Sequence, residues 1–369
     1  MESTKYKLSQ LLTIKNGKDY KHLEQGNIPV FGSGGYMCSV SSYLYDKTSI
    51  LLPRKGTLSN IQFYNNGKFW TVDTCFYSII NETLCEPYYL YRYLRSLDLS
   101  GYDTGASIPS MTQKTYNGIK VILPSLNVQQ RIASILSAYD NLIENNNKRI
   151  RLLEQMAENL YNEWFVRFRF PGHEKTEFEN GLPKEWKFEN LFAVADVSYG
   201  YAFKSDLFCN DESLNAVVRI RDIQDNHTKT YTSEICDDKY LIEENAILVG
   251  MDGLFHMCLW NGERAYLNQR VVKINSKFEN MCNFLLYMSI RPQIKFWEQV
   301  IAGTTVAHLG DKHLKKVKVI IPENELLVKA NNTIQNLMVE KNRLFKQNML
   351  LSRQRDLLLP RLMSGKLEV

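Results

Sequence analysis

The sequence predicts a mixed α/β (α+β) protein with two tandem globular units, each followed by a long helix. Three observations support this prediction: an internal repeat at an offset of 198 residues, two heptad-patterned stretches, and short apolar runs between turn signals. The two helices are expected to pack against each other as a coiled coil, because their heptad patterns are in phase at the same offset. The 369 residues are 44% hydrophobic, which is enough to form a core in each unit.

The first unit, residues 1–124, is predicted to consist mostly of short strands. Four segments are rich in the residue types that strands prefer: 49–53, 61–64, 71–80 and 119–123. Residues 87–97 have apolar side chains at helical spacing. Asn-Gly pairs indicate three turns: Asn16-Gly17, Asn66-Gly67 and Asn117-Gly118.

The central long helix is predicted to occupy residues 125–170. Its apolar residues recur at alternating steps of three and four, and no Pro or Gly interrupts it after Asn127. The predicted seam of this helix is Leu136, Tyr139, Ile143, Asn146, Ile150, Leu153, Leu160 and Trp164. Because a polar seam residue fixes register at a cost in stability, we expect Asn146→Leu to raise thermal stability and to loosen the register.

A polar linker, residues 171–185, leads to the second unit, residues 186–322. Four segments of this unit have strand composition: 216–220, 246–250, 271–274 and 317–321. Asn261-Gly262 is a candidate hairpin turn. Residues 284–297 have a helical pattern that Pro292 is expected to kink or split.

The C-terminal long helix is predicted within residues 323–369. Its predicted seam is Ile334, Leu337, Leu344, Asn348, Leu351 and Leu358. Lys341 and Arg355 occupy the same heptad row as Asn348, where they could extend to the rim or face a partner.

The repeat is clearest where each unit ends. Residues 105–124 align with 303–322 without a gap, and six of the twenty pairs are identical. Residues 50–52 with Gly56 parallel 247–249 with Gly253. The chain is therefore interpreted as a tandem duplication whose unit interiors have diverged.

Composition limits the classes of function. A net charge of +5 is compatible with nucleic-acid binding without requiring it. The seven Cys form no C-x-x-C pair and the six His form no metal-binding pattern, so we expect reduced thiols and no metal site. No apolar run is long enough to span a membrane, so we expect a cytoplasmic protein.

Four segments identify the family that this layout resembles. They are residues 28–35 (IPVFGSGG), 152–157 (LLEQMA), 303–309 (GTTVAHL) and 357–366 (LLLPRLMSGK). In this order, on a duplicated chain, they resemble the specificity subunit of type I restriction-modification systems, which are bacterial or archaeal. The resemblance covers nearly the whole chain.

The resemblance implies a DNA-binding protein that catalyses nothing itself. Each unit would be a target-recognition domain that reads one half of a bipartite sequence in double-stranded DNA. The long helices would form an antiparallel coiled coil that relates the two halves by a pseudo-twofold axis and sets the unread spacer. They would also dock two copies of the methyltransferase subunit, which carries S-adenosylmethionine. Restriction motor-nuclease subunits, which use ATP and Mg, would complete the complex, and the chain itself would hold no cofactor.

Base reading needs polar side chains that reach base edges while others contact phosphate. Two loops of the first unit, one of them residues 54–60, and their equivalents in the second unit supply most of the candidates. Arg219 and Arg221 are added because alternation along a strand would place both on one face, where they could meet phosphate or guanine. The candidates are Arg54, Lys55, Thr57, Ser59, Asn60, Ser107, Arg219, Arg221, Asp252, Thr304, Thr305 and His308.

Three other functions remain as alternatives. A coiled-coil adaptor that never reads bases would share the helices. A methyltransferase could use the glycines of residues 31–35, but a strand-like run follows them where a helix would be needed, so a glycine-rich turn is favoured. A nuclease could use Asp237-Asp238-Lys239, although such charge clusters are usually solvated loops.

Overall fold

The computed structural model describes residues 3–103, 108–301 and 307–367. The chain divides into two compact units: unit 1 is Met1–Glu144 with Met349–Val369, and unit 2 is Asn145–Asn348. The division falls inside both long helices, so each unit combines globular structure with a segment of each helix. The predicted domain limits, which set the helices apart as separate segments, remain predictions.

The globular part of unit 1 is formed mainly by strands. Its elements are β1 (Ser3–Lys7), α1 (Leu8–Leu11), β2 (Leu12–Asn16), β3 (Gln25–Gly32), β4 (Gly35–Val40), β5 (Ser49–Pro53), β6 (Gln62–Tyr64), β7 (Trp70–Thr71), β8 (Cys75–Ile80), α2 (Pro87–Ser96), α3 (Gln113–Gly118) and β9 (Lys120–Pro124). One sheet has the order β2-β8-β5-β6 and another the order β4-β3-β7, while β1 pairs with β9. The predicted strand at 71–80 is shorter than expected, because Trp70 and Thr71 pair with β3 and β8 begins only at Cys75.

Unit 2 has the same plan. Its elements are β10 (Phe178–Glu179), β11 (Leu182–Pro183), β12 (Lys187–Asn190), α5 (Leu191–Val194), β13 (Ala195–Tyr199), β14 (Phe208–Cys209), β15 (Asn215–Val218), β16 (Tyr231–Thr232), β17 (Ile247–Gly250), β18 (Met257–Leu259), β19 (Tyr266–Leu267), β20 (Val271–Ser276), α6 (Asn283–Ile301), α7 (Asp311–Leu314) and β21 (Lys318–Ile321). The sheet β13-β20-β17-β18 corresponds to β2-β8-β5-β6, and β12 pairs with β21 as β1 does with β9. In both units the second sheet contains one parallel pair, β3 with β7 and β15 with β19. The predicted duplication is therefore present in the strand topology.

The long helices are α4 (Leu126–Tyr161) and α8 (Asn324–Met363). A π-helical turn, Asn162–Val166, follows α4 directly. All fourteen predicted seam residues are buried or half-buried. Within unit 2 the helices run antiparallel, because Asn146 bonds to Asn348 while Glu154, further along α4, pairs with Lys341, earlier on α8.

Three of the predicted Asn-Gly turns are wrong. Gly17 follows strand β2, which ends at Asn16, and lies in no turn, while Gly118 belongs to helix α3. Asn261-Gly262 lies between β18 and β19, which pair with other strands and so form no hairpin. Asn66-Gly67 is a bend between β6 and β7, with Gly67 at a positive φ of 86°.

The expected split at Pro292 does not occur, because α6 continues through it to Ile301. Contacts outside the helix stabilise the segment around the proline. Gln293 accepts a hydrogen bond from the backbone N–H of Lys318 at 3.0 Å and donates one to its carbonyl at 2.6 Å. Ile290 and Ile294, on either side of Pro292, are fully buried. Tertiary packing thus outweighs the local cost of the proline.

Candidate nucleic-acid interface

In unit 1 the loop after β5 is joined to the segment before α3 by backbone hydrogen bonds. The Gly56 N–H donates to the Pro109 carbonyl at 2.9 Å, and the Met111 N–H donates to the Arg54 carbonyl at 3.0 Å. Lys55 and Ser110 form a β-bridge between them. Gly56 has a φ of 94°, a conformation that residues with a Cβ rarely adopt.

Unit 2 repeats this arrangement bond for bond. The Gly253 N–H donates to the Ala307 carbonyl at 3.0 Å, and the Leu309 N–H donates to the Met251 carbonyl at 2.8 Å. Asp252 and His308 form the corresponding bridge, and Gly253 has a φ of 72°. We call this arrangement the bridge motif: residues 54–56 with 109–111 in unit 1, and 251–253 with 307–309 in unit 2.

The side chains on the two bridge motifs differ. Unit 1 presents Lys55, which is exposed, beside Ser110. In unit 2 the Asp252 carboxylate contacts His308 Nδ1 at 2.7 Å and Arg270 Nη1 at 3.4 Å. The same backbone frame therefore carries a cation in one unit and a carboxylate between two basic side chains in the other.

Four further candidates of unit 1, Arg54, Thr57, Ser59 and Asn60, lie on the loop after β5. Arg54, Thr57 and Ser59 are exposed, and the Arg54 guanidinium donates to the Asp73 carbonyl at 3.3 Å. Asn60 is half-buried and donates from Nδ2 to the Ser33 carbonyl at 2.6 Å. Asn60 therefore fixes the loop to the glycine-rich turn and is less available to DNA than its neighbours.

That glycine-rich turn, Gly32 to Gly35, closes the hairpin between β3 and β4. Gly35 has a φ of 120°, and no helix follows it. The favoured interpretation, a turn rather than a nucleotide-binding loop, is confirmed.

The expected strand alternation of Arg219 and Arg221 is wrong. β15 ends at Val218, and Arg221 lies in a short 3-10 helix, Ile220–Asp222. The strand stops there because the Asp222 carboxylate accepts a hydrogen bond from the Arg219 N–H at 2.9 Å and caps the helix.

Both arginines nevertheless line one cleft of about 590 Å³ in unit 2. Sequence reasoning missed the other residues of this cleft, among them Phe208, Gln269 and Arg270, because they come from separate loops. The candidates Ser107, Thr304 and Thr305 lie outside the described residues.

The buried polar residues of the helix seam are all paired. In unit 2, Asn146 Nδ2 donates to Asn348 Oδ1 at 2.9 Å, and Lys341 lies 3.0 Å from Glu154. In unit 1, Arg355 contacts Asp140 at 2.6 Å. Lys341 and Arg355 thus pair with carboxylates on the opposite helix.

Asp140 also accepts hydrogen bonds from Tyr88 and Arg92. Burial acts to raise the pKa of the Asp140 carboxyl, but the hydrogen bonds from Tyr88 and Arg355 and the charges of both arginines outweigh burial and lower that pKa.

The nuclease alternative has little structural support. Asp237 Oδ1 accepts a hydrogen bond from the Lys239 N–H at 2.8 Å, so this carboxylate caps a short 3-10 helix. Across the described ranges, no three His, Cys, Asp or Glu side chains form a group that could hold a metal ion.

The seven cysteines are free thiols. Burial raises the pKa of Cys75 and of Cys258 to about 12, so neither is a reactive thiolate near neutral pH. In the part of the chain that the structure describes, no helix is both long and apolar enough to span a membrane.

The chain is similar to known proteins along most of its length. The family described as the type I restriction modification DNA specificity domain matches residues 1–155 and 183–340. The specificity subunit of the type I restriction enzyme MjaIX from Methanocaldococcus jannaschii is 24% identical over 375 residues, covering 95% of this chain and 84% of that protein. The EcoBI specificity subunit of Escherichia coli is 28% identical over 186 residues, covering 49% of this chain and 39% of that protein.

The fold is similar to that of a solved type I restriction-modification S subunit from M. genitalium. The TM-score is 0.67 at 15% identity, and the match covers 98% of this chain and 96% of that one. Because the family match spans both repeated units, the chain belongs to the type I restriction-modification DNA specificity family and is a non-catalytic specificity subunit with two tandem specificity domains.

Proposed function

We propose that each unit reads one half of a split, asymmetric sequence in double-stranded DNA with the side chains around its bridge motif. One observation supports this most directly: the two bridge motifs share their backbone hydrogen bonds but present different side chains. A shared frame holds both reading loops in the same way, while different side chains select different bases. Ser107, Thr304 and Thr305, which lie close to the bridge residues in sequence, remain candidates for base reading.

Contacts to phosphate position the protein and contacts to bases select the sequence. In unit 1 the exposed Arg54 suits phosphate, and Lys55 of the bridge motif, with Thr57 and Ser59, suits base edges. In unit 2 His308 and the cleft that contains Arg219 and Arg221 supply the corresponding groups.

The long helices are proposed to dock two methyltransferase subunits that bind S-adenosylmethionine, with ATP- and Mg-dependent motor-nuclease subunits completing the complex. Exposed apolar side chains support a docking role. On the helix segments of unit 2, Leu152 is 58% exposed, Met156 55% and Val339 61%. Large apolar side chains exposed on a helix are a feature of partner-binding faces.

Sequencing of the DNA modification pattern tests this proposal. The chain is expressed with the methyltransferase subunit encoded beside it in a host without its own DNA methylation, and methylated bases are mapped by single-molecule sequencing. A motif of two short defined halves around a fixed gap is the expected result. If an assembled complex that binds S-adenosylmethionine produces no new methylation, the proposal fails and the adaptor alternative is favoured.

A second measurement, binding of the same complex to duplex DNA, distinguishes a DNA reader from an adaptor without relying on methylation. A DNA reader loses affinity steeply as salt increases, since each neutralised phosphate releases counterions. An adaptor that does not bind DNA would show no such dependence, and one that binds DNA without reading bases would show no preference for one sequence over random duplex.

A further inference from the structure

We propose that Arg219 is a specificity-determining residue of unit 2 that reads a guanine, so that the half-sequence recognised by this unit contains a guanine at the contacted position. The inference rests on the proposed function and adds to it the identity of one recognised base.

Arg219 lines the cleft of about 590 Å³ in unit 2. Its basic lining residues are Arg219, Arg221, Arg270 and His256, and the Phe208 ring also lines it. This lining contains three arginines and a histidine, and none of its residues is a carboxylate. The cleft therefore favours a ligand that carries negative charge and hydrogen-bond acceptors.

The Arg219 side chain is held in place by contacts that leave the N–H donors of its guanidinium without a hydrogen-bond partner among the described residues. Its guanidinium lies 5.3 Å from the centre of the Phe208 ring, and its backbone N–H is fixed by Asp222. Over the described ranges, no carboxylate pairs with this guanidinium. Stacking on an aromatic face immobilises the planar group and leaves its N–H edge free.

The guanidinium groups of the other two arginines of the cleft, Arg221 and Arg270, already have polar partners. Arg221 donates to Thr230 Oγ1 at 3.1 Å, and Arg270 lies 3.4 Å from Asp252. Their side chains are 65% and 56% exposed. These partners use some of the N–H donors of each guanidinium. The remaining donors are exposed and suit phosphate oxygens, and such contacts position the protein without reading the base.

A free, pre-positioned guanidinium edge matches guanine among the four bases. Guanine offers two acceptors, N7 and O6, on its major-groove edge, and an arginine fork can bond to both. The cytosine edge presents a donor amino group and would leave the fork without an acceptor there. This complementarity assigns guanine rather than another base to Arg219.

The test measures binding of the complex of this chain and its methyltransferase subunit to a randomised duplex library. The wild-type complex is expected to select a guanine at one position of one half-sequence. Arg219→Gln is expected to lose roughly tenfold or more of that preference, leaving the other positions and the other half unchanged. Arg264→Gln, an exposed arginine of unit 2 outside the cleft, is the matched control and keeps the wild-type preference.

Two further measurements keep the inference testable if Arg219→Gln assembles poorly. Replacing the selected guanine by 7-deazaguanine removes the N7 acceptor, so the wild-type complex is expected to bind the modified duplex several-fold more weakly. Arg270→Gln is expected to weaken binding to all sequences alike and to reduce the salt dependence by about one phosphate contact.

The inference is overturned if the Arg219→Gln complex keeps its guanine preference, or if Arg219→Gln weakens all sequences equally, as a phosphate contact would. It is also overturned if the half-sequence that responds to changes in unit 2 contains no guanine. In each of these cases a bipartite motif still supports the proposed function. Absence of any bipartite motif in the wild-type complex would instead contradict the proposed function itself.

Discussion

Asn146 and Asn348 exchange hydrogen bonds with the opposite long helix within unit 2. Asn146 Nδ2 donates to Asn348 Oδ1 at 2.9 Å, and Asn348 Nδ2 donates to Asn147 Oδ1 at 2.8 Å. Asn146 and Asn348 are 4% and 8% exposed. Because both side chains are buried, a polar group that loses its hydrogen-bond partner there cannot replace the lost bond fully with a bond to water.

This pairing changes the expectation for Asn146→Leu that was drawn from the sequence. The single substitution removes the Nδ2 donor and leaves a buried Asn348 oxygen without it, so we expect the free energy of unfolding to fall by about 1–3 kcal/mol. The double substitution Asn146→Leu with Asn348→Leu removes both polar groups and is expected to be at least as stable as wild type. Chemical denaturation of the three proteins checks this, and a single variant more stable than wild type would contradict it.

The Asp140 cluster of unit 1 predicts a pH dependence of stability. Tyr88, Arg92 and Arg355 all bond to this carboxylate, and the pKa of Asp140 is lowered from its ordinary value of 3.8. A lowered pKa means that the folded state favours the ionised form. Its stabilising contribution is therefore full above the ordinary value and is lost as the pH falls through the lowered pKa.

We expect Asp140→Asn to unfold more easily than wild type at pH 7, by roughly 3 kcal/mol, because the buried Arg92 loses its counter-charge. The difference should shrink as the pH falls below about 4. Denaturation at several pH values measures it. Asp356→Asn is the control, since Asp356 also pairs with Arg355 but is 60% exposed; an equal effect of both substitutions would argue against the cluster.

Among the elements, local sequence signals succeeded where a segment is wholly buried. Ser49–Pro53 is buried at every position, and the predicted strand has the observed bounds. Local sequence signals failed where residues distant in sequence determine whether a helix or a strand continues. Pro292 does not split α6, because Gln293 is bonded to β21, and the strand at Val218 ends early because Asp222 caps the next turn.

Gly17 and Gly200 are two further positions at which local sequence does not reveal the structural reason for the residue. The pair Asn16-Gly17 indicates a turn in sequence, but a Cβ on Gly17 would lie only 2.0 Å from the Val72 carbonyl oxygen. A Cβ on Gly200, at the equivalent end of β13, would lie 2.1 Å from the Asn268 carbonyl oxygen. Both glycines are explained by the close approach of the backbone just after β7 or β19, which no local pattern reveals.

We therefore expect Gly17→Ala and Gly200→Ala each to destabilise the protein by at least about 2 kcal/mol, because backbone must shift to admit the methyl group. Gly34→Ala is the matched control: its Cβ would meet nothing within 4 Å. Thermal unfolding of the three variants gives the comparison. Equal melting temperatures of the three variants would show that the backbone next to Gly17 and Gly200 can move to admit a methyl group without loss of stability.

For the whole molecule, the duplication predicted from residues 105–124 and 303–322 proved most informative. It extends beyond the aligned residues, to the sheet orders of both units and to the two bridge motifs. The candidate surface was only partly predictable. Lys55, Asp252 and His308 could be selected from sequence, whereas the grouping of Phe208 and Arg270 with Arg219 depends on folding of separate loops.

A duplicated frame joined by long helices predicts that the two half-sequences and the gap between them can be changed independently. Lys55→Gln should alter recognition in one half of the methylation motif, and His308→Gln should alter the other half. Neither changes the gap, because neither residue lies on a long helix. The double substitution Asn146→Leu with Asn348→Leu should leave both halves intact and broaden the tolerated gap, because a seam without its polar pair no longer specifies one register.

Methylome sequencing of the assembled complex with each variant measures all three motif components at once. Lys120→Gln replaces an exposed lysine of unit 1 that lies on β9 and is not part of the bridge motif, so it serves as the control for Lys55→Gln and should preserve the motif. A change in both halves caused by Lys55→Gln alone would show that the units do not read independently. An unchanged gap in the double variant would mean that packing of the apolar seam, without the asparagine pair, is enough to fix the register of the helices.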